Sequence, residues 1–119
     1  MAYSRKLLDY FENPRCAGEL PDAITCAKVA DRIWNDVMKI CLKVADNRIL
    51  DARFKTQGCS AAIATSSYAT EMIIGMDLQQ ARAITKEEIA EALGGLPPSK
   101  MHCSVLASDA IRAALKDFA

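Results

Sequence analysis

The sequence predicts an α+β domain with helices packed on one face of a sheet, and three observations carry that expectation. Strand-like alternation is confined to residues 22–56, and helical spacing fills most of the chain beyond them. A short polar turn, Asp46-Asn47-Arg48, joins the two best alternating runs, so these must pair antiparallel. Strands first and helices afterwards define the class. A chain of 119 residues, 51% hydrophobic, can build one real core and is too short for two, so residues 1–119 are expected to form a single domain.

Residues 3–12, YSRKLLDYFE, place Leu7, Leu8 and Phe11 on one helical face as a docking surface. Ser4 is available as N-cap, and Asn13-Pro14 ends the helix. Residues 22–30 are weakly strand-like. Residues 36–44 alternate cleanly: Met38, Ile40, Leu42 and Val44 form a dry face, with Lys39, Cys41 and Lys43 on the wet one. In residues 48–56, Ile49 shares its phase with Asp51, Arg53 and Lys55, while Leu50, Ala52 and Phe54 oppose them.

After Gly58-Cys59 the run SAAIATSSYATEMIIG is small and helix-compatible; its small residues predict a closely packed, buried helix that Gly75 terminates. MDLQQARAI and TKEEIAEALGG read as two short helices, the second with Thr85 and Glu88 at capping-box spacing. Leu96-Pro97-Pro98-Ser99-Lys100 reads as an extended, rigid connector. The last helix starts near His102 and carries Val105, Leu106, Ile111, Leu115 and Phe118 at helical spacing.

Fifteen basic and fifteen acidic side chains cancel, so no net field favours nucleic acid or an anionic membrane. No apolar run approaches the roughly 20 residues that span a bilayer, and the N-terminal residues lack a signal-peptide apolar stretch. The cytoplasm is the expected compartment. Five cysteines, Cys16, Cys26, Cys41, Cys59 and Cys103, are an odd number. In a reducing compartment they favour thiol, persulfide or metal roles over a disulfide framework, beside the plain role of small buried hydrophobes.

Cys59 and Cys103 each stand where a helix begins, and the partial positive charge there is expected to lower a thiol pKa and favour the thiolate. His102, the only histidine, precedes Cys103. Two thiols and an imidazole suit zinc or an iron–sulfur cluster, although no CxxC spacing is present.

Three segments, FENPRCAG, DVMKICLKV with ILDARFKTQGCSAAIATSS, and EALGGLPPSKMHCSVLASDAI, resemble the iron–sulfur scaffold family called IscU, or the NifU N-terminal domain, over nearly the whole chain. The resemblance implies a three-stranded antiparallel sheet with helices on one face. It also implies a non-catalytic scaffold that accepts sulfur from a cysteine desulfurase, collects iron, and passes a transient 2Fe–2S cluster to recipient apoproteins. Carried over by position, the implied metal and cluster ligands are Asp36, Cys59, His102 and Cys103, with Cys59 and Cys103 as candidate persulfide acceptors. The family's first ligand cysteine corresponds to Trp34, which has no metal-ligating atom and would sit against the rim of the site.

No glycine lies between Gly18 and Gly58, so the approach to Trp34 is expected to be stiffer than the family's glycine-rich loop. Cys26 is the remaining candidate for a replacement ligand, if residues 27–33 loop back. The four matched groups make a workable tetrahedral donor set for one zinc or iron ion. Two other functions stay open: a zinc-binding, sulfurtransferase-like persulfide acceptor, and a degenerate regulatory paralogue that binds the desulfurase without assembling a cluster. Leu96–Lys100 resembles the family's LPPVK chaperone-recognition segment, with Ser99 in place of valine.

Overall fold

A computed structural model describes residues 3–118. The first helix, α1 (Arg5–Glu12), begins where Ser4 Oγ accepts the Leu7 N–H at 3.0 Å. The same hydroxyl donates to the Leu93 carbonyl, tying the start of α1 to a distant helix end. The buried face of α1 is Leu7 with Tyr10, whose hydroxyl donates to Glu71. Leu8 and Phe11 are instead 39% and 36% exposed, which corrects the expected face: only Leu7 of the three enters the core.

Three strands come next, β1 (Thr25–Ala30), β2 (Val37–Ala45) and β3 (Arg48–Gln57), in the order β1-β2-β3 and antiparallel throughout. Asp46 and Asn47 both adopt the left-handed region, φ 53° and 63°, the twist-matched geometry of a two-residue hairpin between β2 and β3. The dry face of β2 is as expected, with Met38, Ile40 and Leu42 fully buried.

The phase expected for β3 holds only from Ala52 onward. Lys43 pairs with Asp51 but Val44 pairs with Ile49, so Leu50 is an extra residue in a bulge. The bulge turns Ile49 into the core and leaves Leu50 half-exposed, the reverse of strict alternation.

Helix α2 (Ser60–Ile73) is buried almost all round. Its small residues let the backbone lie close to the sheet, where Thr56 and Ser66 share a 2.6 Å hydroxyl contact. Buried Thr65, Ser66 and Thr70 satisfy their hydroxyls on carbonyls four residues back, at Ala61, Ala62 and Ser66. Gly75, at φ +92°, terminates the segment as expected.

Helices α3 (Leu78–Arg82) and α4 (Lys86–Ala92) each open with a complete capping box, Asp77 with Gln80 and Thr85 with Glu88. The connector at Leu96–Lys100 is not extended throughout: Pro98–Lys100 forms a 3-10 turn that runs directly into α5 (Met101–Leu115). Proline at the first position of that turn lacks the N–H that would go unpaired there. Leu106 and Ile111 of α5 are buried, as their spacing requires.

Helix α5 lies over β1 and β2 and α2 over β3, so one sheet face is covered and the other, among the described residues, is free of helices. Cys26 and Cys41 are direct cross-strand partners on the free face, their Cα atoms 4.0 Å apart and their sulfurs joined in a disulfide. This corrects two expectations, that a disulfide is disfavoured and that Cys26 could complete the ligand set: residues 25–30 are strand, and Cys26 is directed away from the helical layer. Among the described residues, no helix is long and apolar enough to cross a membrane.

Candidate metal centre

Strand register alone brings two segments together at one end of the sheet. Val37 pairs with Ala30 on one side and Gln57 on the other, so the β1–β2 loop and the β3–α2 junction emerge side by side. The first turn of α5 supplies a third segment.

The loop at residues 31–36 is held by its own backbone. Asp31 Oδ1 accepts the N–H groups of Ile33 and Trp34 at 2.8 and 3.0 Å, which hold its carboxyl below the usual carboxylate range, Trp34 foremost. Asp31 N–H donates to the Asp36 carbonyl at 2.8 Å, and Asn35 N–H to the Asp31 carbonyl at 2.9 Å. Asn35 takes a left-handed conformation, φ 63°, one that asparagine tolerates in place of glycine. This glycine-free loop is thus an aspartate-capped turn.

Asp36 ends the loop with a buried carboxylate. Cys59 is the N-cap residue of α2, and its side chain makes no capping hydrogen bond, so the sulfur stays free. One oxygen of Asp36 and the sulfurs of Cys59 and Cys103 all lie within 4.8 Å of one another. His102 Nε2 is 3.0 Å from Asp36 Oδ2 and 3.6 Å from Cys103 Sγ. Asp36, Cys59 and Cys103 thus meet at the sheet end, with His102 beside Asp36 and Cys103 but outside the group whose donor atoms all lie within 4.8 Å of one another, and Cys16, Cys26 and Cys41 do not join them.

Trp34 stacks on the His102 ring, centroids 5.3 Å apart and planes 15° from parallel, and its outer face is half-exposed. The indole thus covers the imidazole and fixes its plane. Lys100 Nζ lies 5.9 Å from the indole centroid, and the neighbouring Cys59 sulfur, foremost among its surroundings, holds its ammonium proton more firmly than in free lysine.

One electrostatic expectation is overturned. The thiol of Cys103 is pushed up, because burial outweighs any benefit of the helix start and the neighbouring Cys59 sulfur adds to the effect. Cys103 is fully buried, so the neutral thiol is its resting form.

Two participants escaped the sequence reading. A Cβ on Gly58 would stand 2.7 Å from Asp36 Oδ1, so this glycine is required for space and lets the β3–α2 junction close on the carboxylate. Lys100 was assigned only to the connector; its place two residues before His102, at the mouth of a helix start, was the available signal.

The profile of the NifU-like N terminal domain family matches residues 2–119. The chain is 53% identical over 116 residues to the iron-sulfur cluster assembly scaffold protein IscU 1 of Archaeoglobus fulgidus, covering 98% of this chain and 76% of that protein. It is 48% identical over 122 residues to the iron-sulfur cluster assembly scaffold protein IscU of Escherichia coli strain K12, covering 99% and 94% of the two. Its fold is similar to that of a NifU-like N-terminal protein from Brucella abortus, with a TM-score of 0.78 at 17% identity over 95% and 91% of the two chains. The chain belongs to the NifU-like N-terminal domain family, and its α+β fold with a three-stranded antiparallel sheet is like that of the solved NifU-like structure.

Proposed function

We infer that this chain is an iron–sulfur cluster assembly scaffold, a single domain that gathers iron and sulfur on Asp36, Cys59, His102 and Cys103. The observation that carries this reading is the convergence of the Asp36 carboxylate and the Cys59 and Cys103 sulfurs within 4.8 Å, with His102 Nε2 beside them. The scaffold names of its relatives at about half identity support it. Two thiolates, one imidazole and one carboxylate are a donor set of the kind that would hold a single zinc or iron ion. A 2Fe–2S cluster is the cargo. Histidine replaces cysteine in some such clusters, while aspartate is a harder donor for iron–sulfur iron, so the cluster is held loosely and given up readily.

Sulfur enters as the terminal atom of a persulfide on a cysteine desulfurase. Attack by a thiolate of this chain on that atom forms a new Cys–S–SH and releases the donor's thiolate, with no external oxidant or reductant. Cys59, only partly buried, is the thiol that takes the sulfur, whereas Cys103, buried and held neutral, keeps its proton until a metal displaces it. Recipient apoproteins accept the finished cluster. Pro98 and Ser99 are exposed beside the site and form the part of Leu96–Lys100 that a chaperone could grip. The protein holds and hands on its cargo in the cytoplasm and turns over no substrate of its own.

The test is anaerobic reconstitution with ferrous iron, cysteine and a cysteine desulfurase, with visible absorption and with iron and sulfide analysis as readouts. Sulfide-dependent absorption bands are expected that vanish in Cys59→Ala and Cys103→Ala and persist in Cys16→Ala. Persulfide on Cys59 without iron uptake would replace this reading with that of a zinc-binding sulfur acceptor. Desulfurase binding with neither metal nor cluster would make the chain a regulatory competitor.

A further inference from the structure

The helix-free face of the sheet carries the Cys26–Cys41 disulfide, outside the candidate metal centre, in a hairpin whose connecting loop is residues 31–36. Cys26 is exposed and Cys41 is buried beneath its neighbours, so an incoming sulfur meets Cys26 first. Lys28 lies two residues along from Cys26, Lys39 and Lys43 two residues either side of Cys41, and Arg53 directly opposite Cys41 on β3. Two of these four cations are offset, Lys43 by Asp22 and Arg53 by Asp51, while Lys28 and Lys39 take part in no salt bridge among the described residues. Lys28 and Lys39 are moreover cross-strand partners, and Lys39 also faces Lys55, which is paired with Glu19. Like charges placed opposite each other oppose pairing of the strands, yet they supply the surplus positive potential that stabilises a thiolate and attracts an anionic disulfide.

We propose that Cys26 and Cys41 form a redox-exchanging thiol pair, oxidised by an anionic low-molecular-weight disulfide such as oxidised glutathione, whose closure staples the hairpin that carries Trp34 and Asp36. The Cys26 thiolate attacks one sulfur of the small disulfide, forming a mixed disulfide and releasing one thiolate. Cys41 then attacks the Cys26 sulfur, closing the protein disulfide and releasing the second. Two protein thiols lose two electrons and two protons, and one small disulfide becomes two thiols. Reduction by excess small thiol runs the same steps backwards.

The structural consequence falls on β1. Among the described residues it is an edge strand that pairs only with β2, and Thr25 Oγ1 ties it to α5 by donating to the Ala114 carbonyl. A covalent tie between Cys26 and Cys41 removes the open states of the hairpin that fraying of this edge would populate. The loop from Asp31 to Asp36 is the closed end of that hairpin, so its order tracks the oxidation state of the pair. This holds whether or not the sheet-end donors assemble a cluster.

The full-length protein is equilibrated with oxidised or reduced glutathione, then alkylated and peptide-mapped, with hydrogen exchange measured in parallel. The oxidised sample is expected to yield a linked Cys26–Cys41 peptide, which reduced glutathione opens under native conditions. Amide exchange across residues 31–36 is expected to be about tenfold slower in the linked form. A Cys41→Ser variant should instead trap the small thiol on Cys26. The Cys26→Ser/Cys41→Ser double variant, its folding checked by circular dichroism, should exchange like the reduced protein under both conditions, which controls for oxidation of Cys59 and Cys103. Full alkylation of Cys26 and Cys41 after the oxidant, a link that resists reduced glutathione, or equal loop exchange in the two states would each overturn the proposal.

Discussion

Gly58 and Trp34 decide how closely the candidate ligands meet. Because the missing Cβ of Gly58 would fall 2.7 Å from Asp36 Oδ1, Gly58→Ala must push the carboxylate away from the two sulfurs or part the β3–α2 junction. Zinc affinity, measured by competition with a chromophoric chelator, should fall about 10- to 100-fold, the usual cost of disturbing the support of a metal ligand. Unchanged affinity would remove Asp36 from the ligand set. Trp34 offers an aromatic plane to His102 where the resemblance implies a third thiolate. Half-exposed, it contributes little burial, so Trp34→Cys should fold and should raise the yield of anaerobically reconstituted cluster, read as sulfide bound per chain. Absence of a gain would mean that the aspartate-capped turn directs position 34 away from the other donors.

At the scale of elements, one hydroxyl serves two helices. Ser4 Oγ caps α1 by accepting from Leu7 N–H and donates to the Leu93 carbonyl at the end of α4. Gly94 is bound to the same arrangement: a Cβ there would be 2.8 Å from Ser4 Cβ, and its φ of +84° already favours glycine. Ser4→Ala removes the cap and leaves that carbonyl with one partner fewer, so urea unfolding should show a loss of about 1–2 kcal/mol. Neither Leu7 nor Leu93 belongs to the metal centre, so zinc affinity in the folded variant should be unaltered. A loss of zinc binding with unchanged stability would contradict this division of roles.

Across the whole molecule, burial of Cys103 couples metal binding to protons. The packing of α5 against Ala61 and Ala62 of α2 shuts water from the sulfur and pushes its thiol pKa up. The apo protein therefore holds this proton throughout the neutral range, and a metal must displace it. Affinity for zinc should accordingly rise with pH, by about tenfold per pH unit for each proton released, until the metal itself hydrolyses. The stabilisation that zinc gives the fold should rise in parallel, visible as a larger Tm increase at pH 8 than at pH 6 under equal free zinc. A pH-independent affinity would show that Cys103 is not a ligand.

Much of the architecture was legible in the residues because it is periodic or local. Alternation in Met38-Lys39-Ile40, the pairing of Thr85 with Glu88, and the spacing of Leu106 and Ile111 each act over a few residues, and the structure agrees with all of them. What failed was what one segment cannot contain. The extra residue at Leu50 is a property of two strands in register, and the choice of Tyr10 over Leu8 and Phe11 depends on where α1 meets α2. The four candidate ligands could be named from motif order, but their meeting required Val37 to pair with both neighbouring strands and α5 to start at the same sheet end. The Cys26–Cys41 link likewise arises because a residue 15 positions away becomes a direct neighbour only through strand register. Residue type thus determined which groups were capable of chemistry, while tertiary structure decided which of them meet and how far burial shifts their protons, because both proximity and dielectric environment are set by contacts distant in sequence.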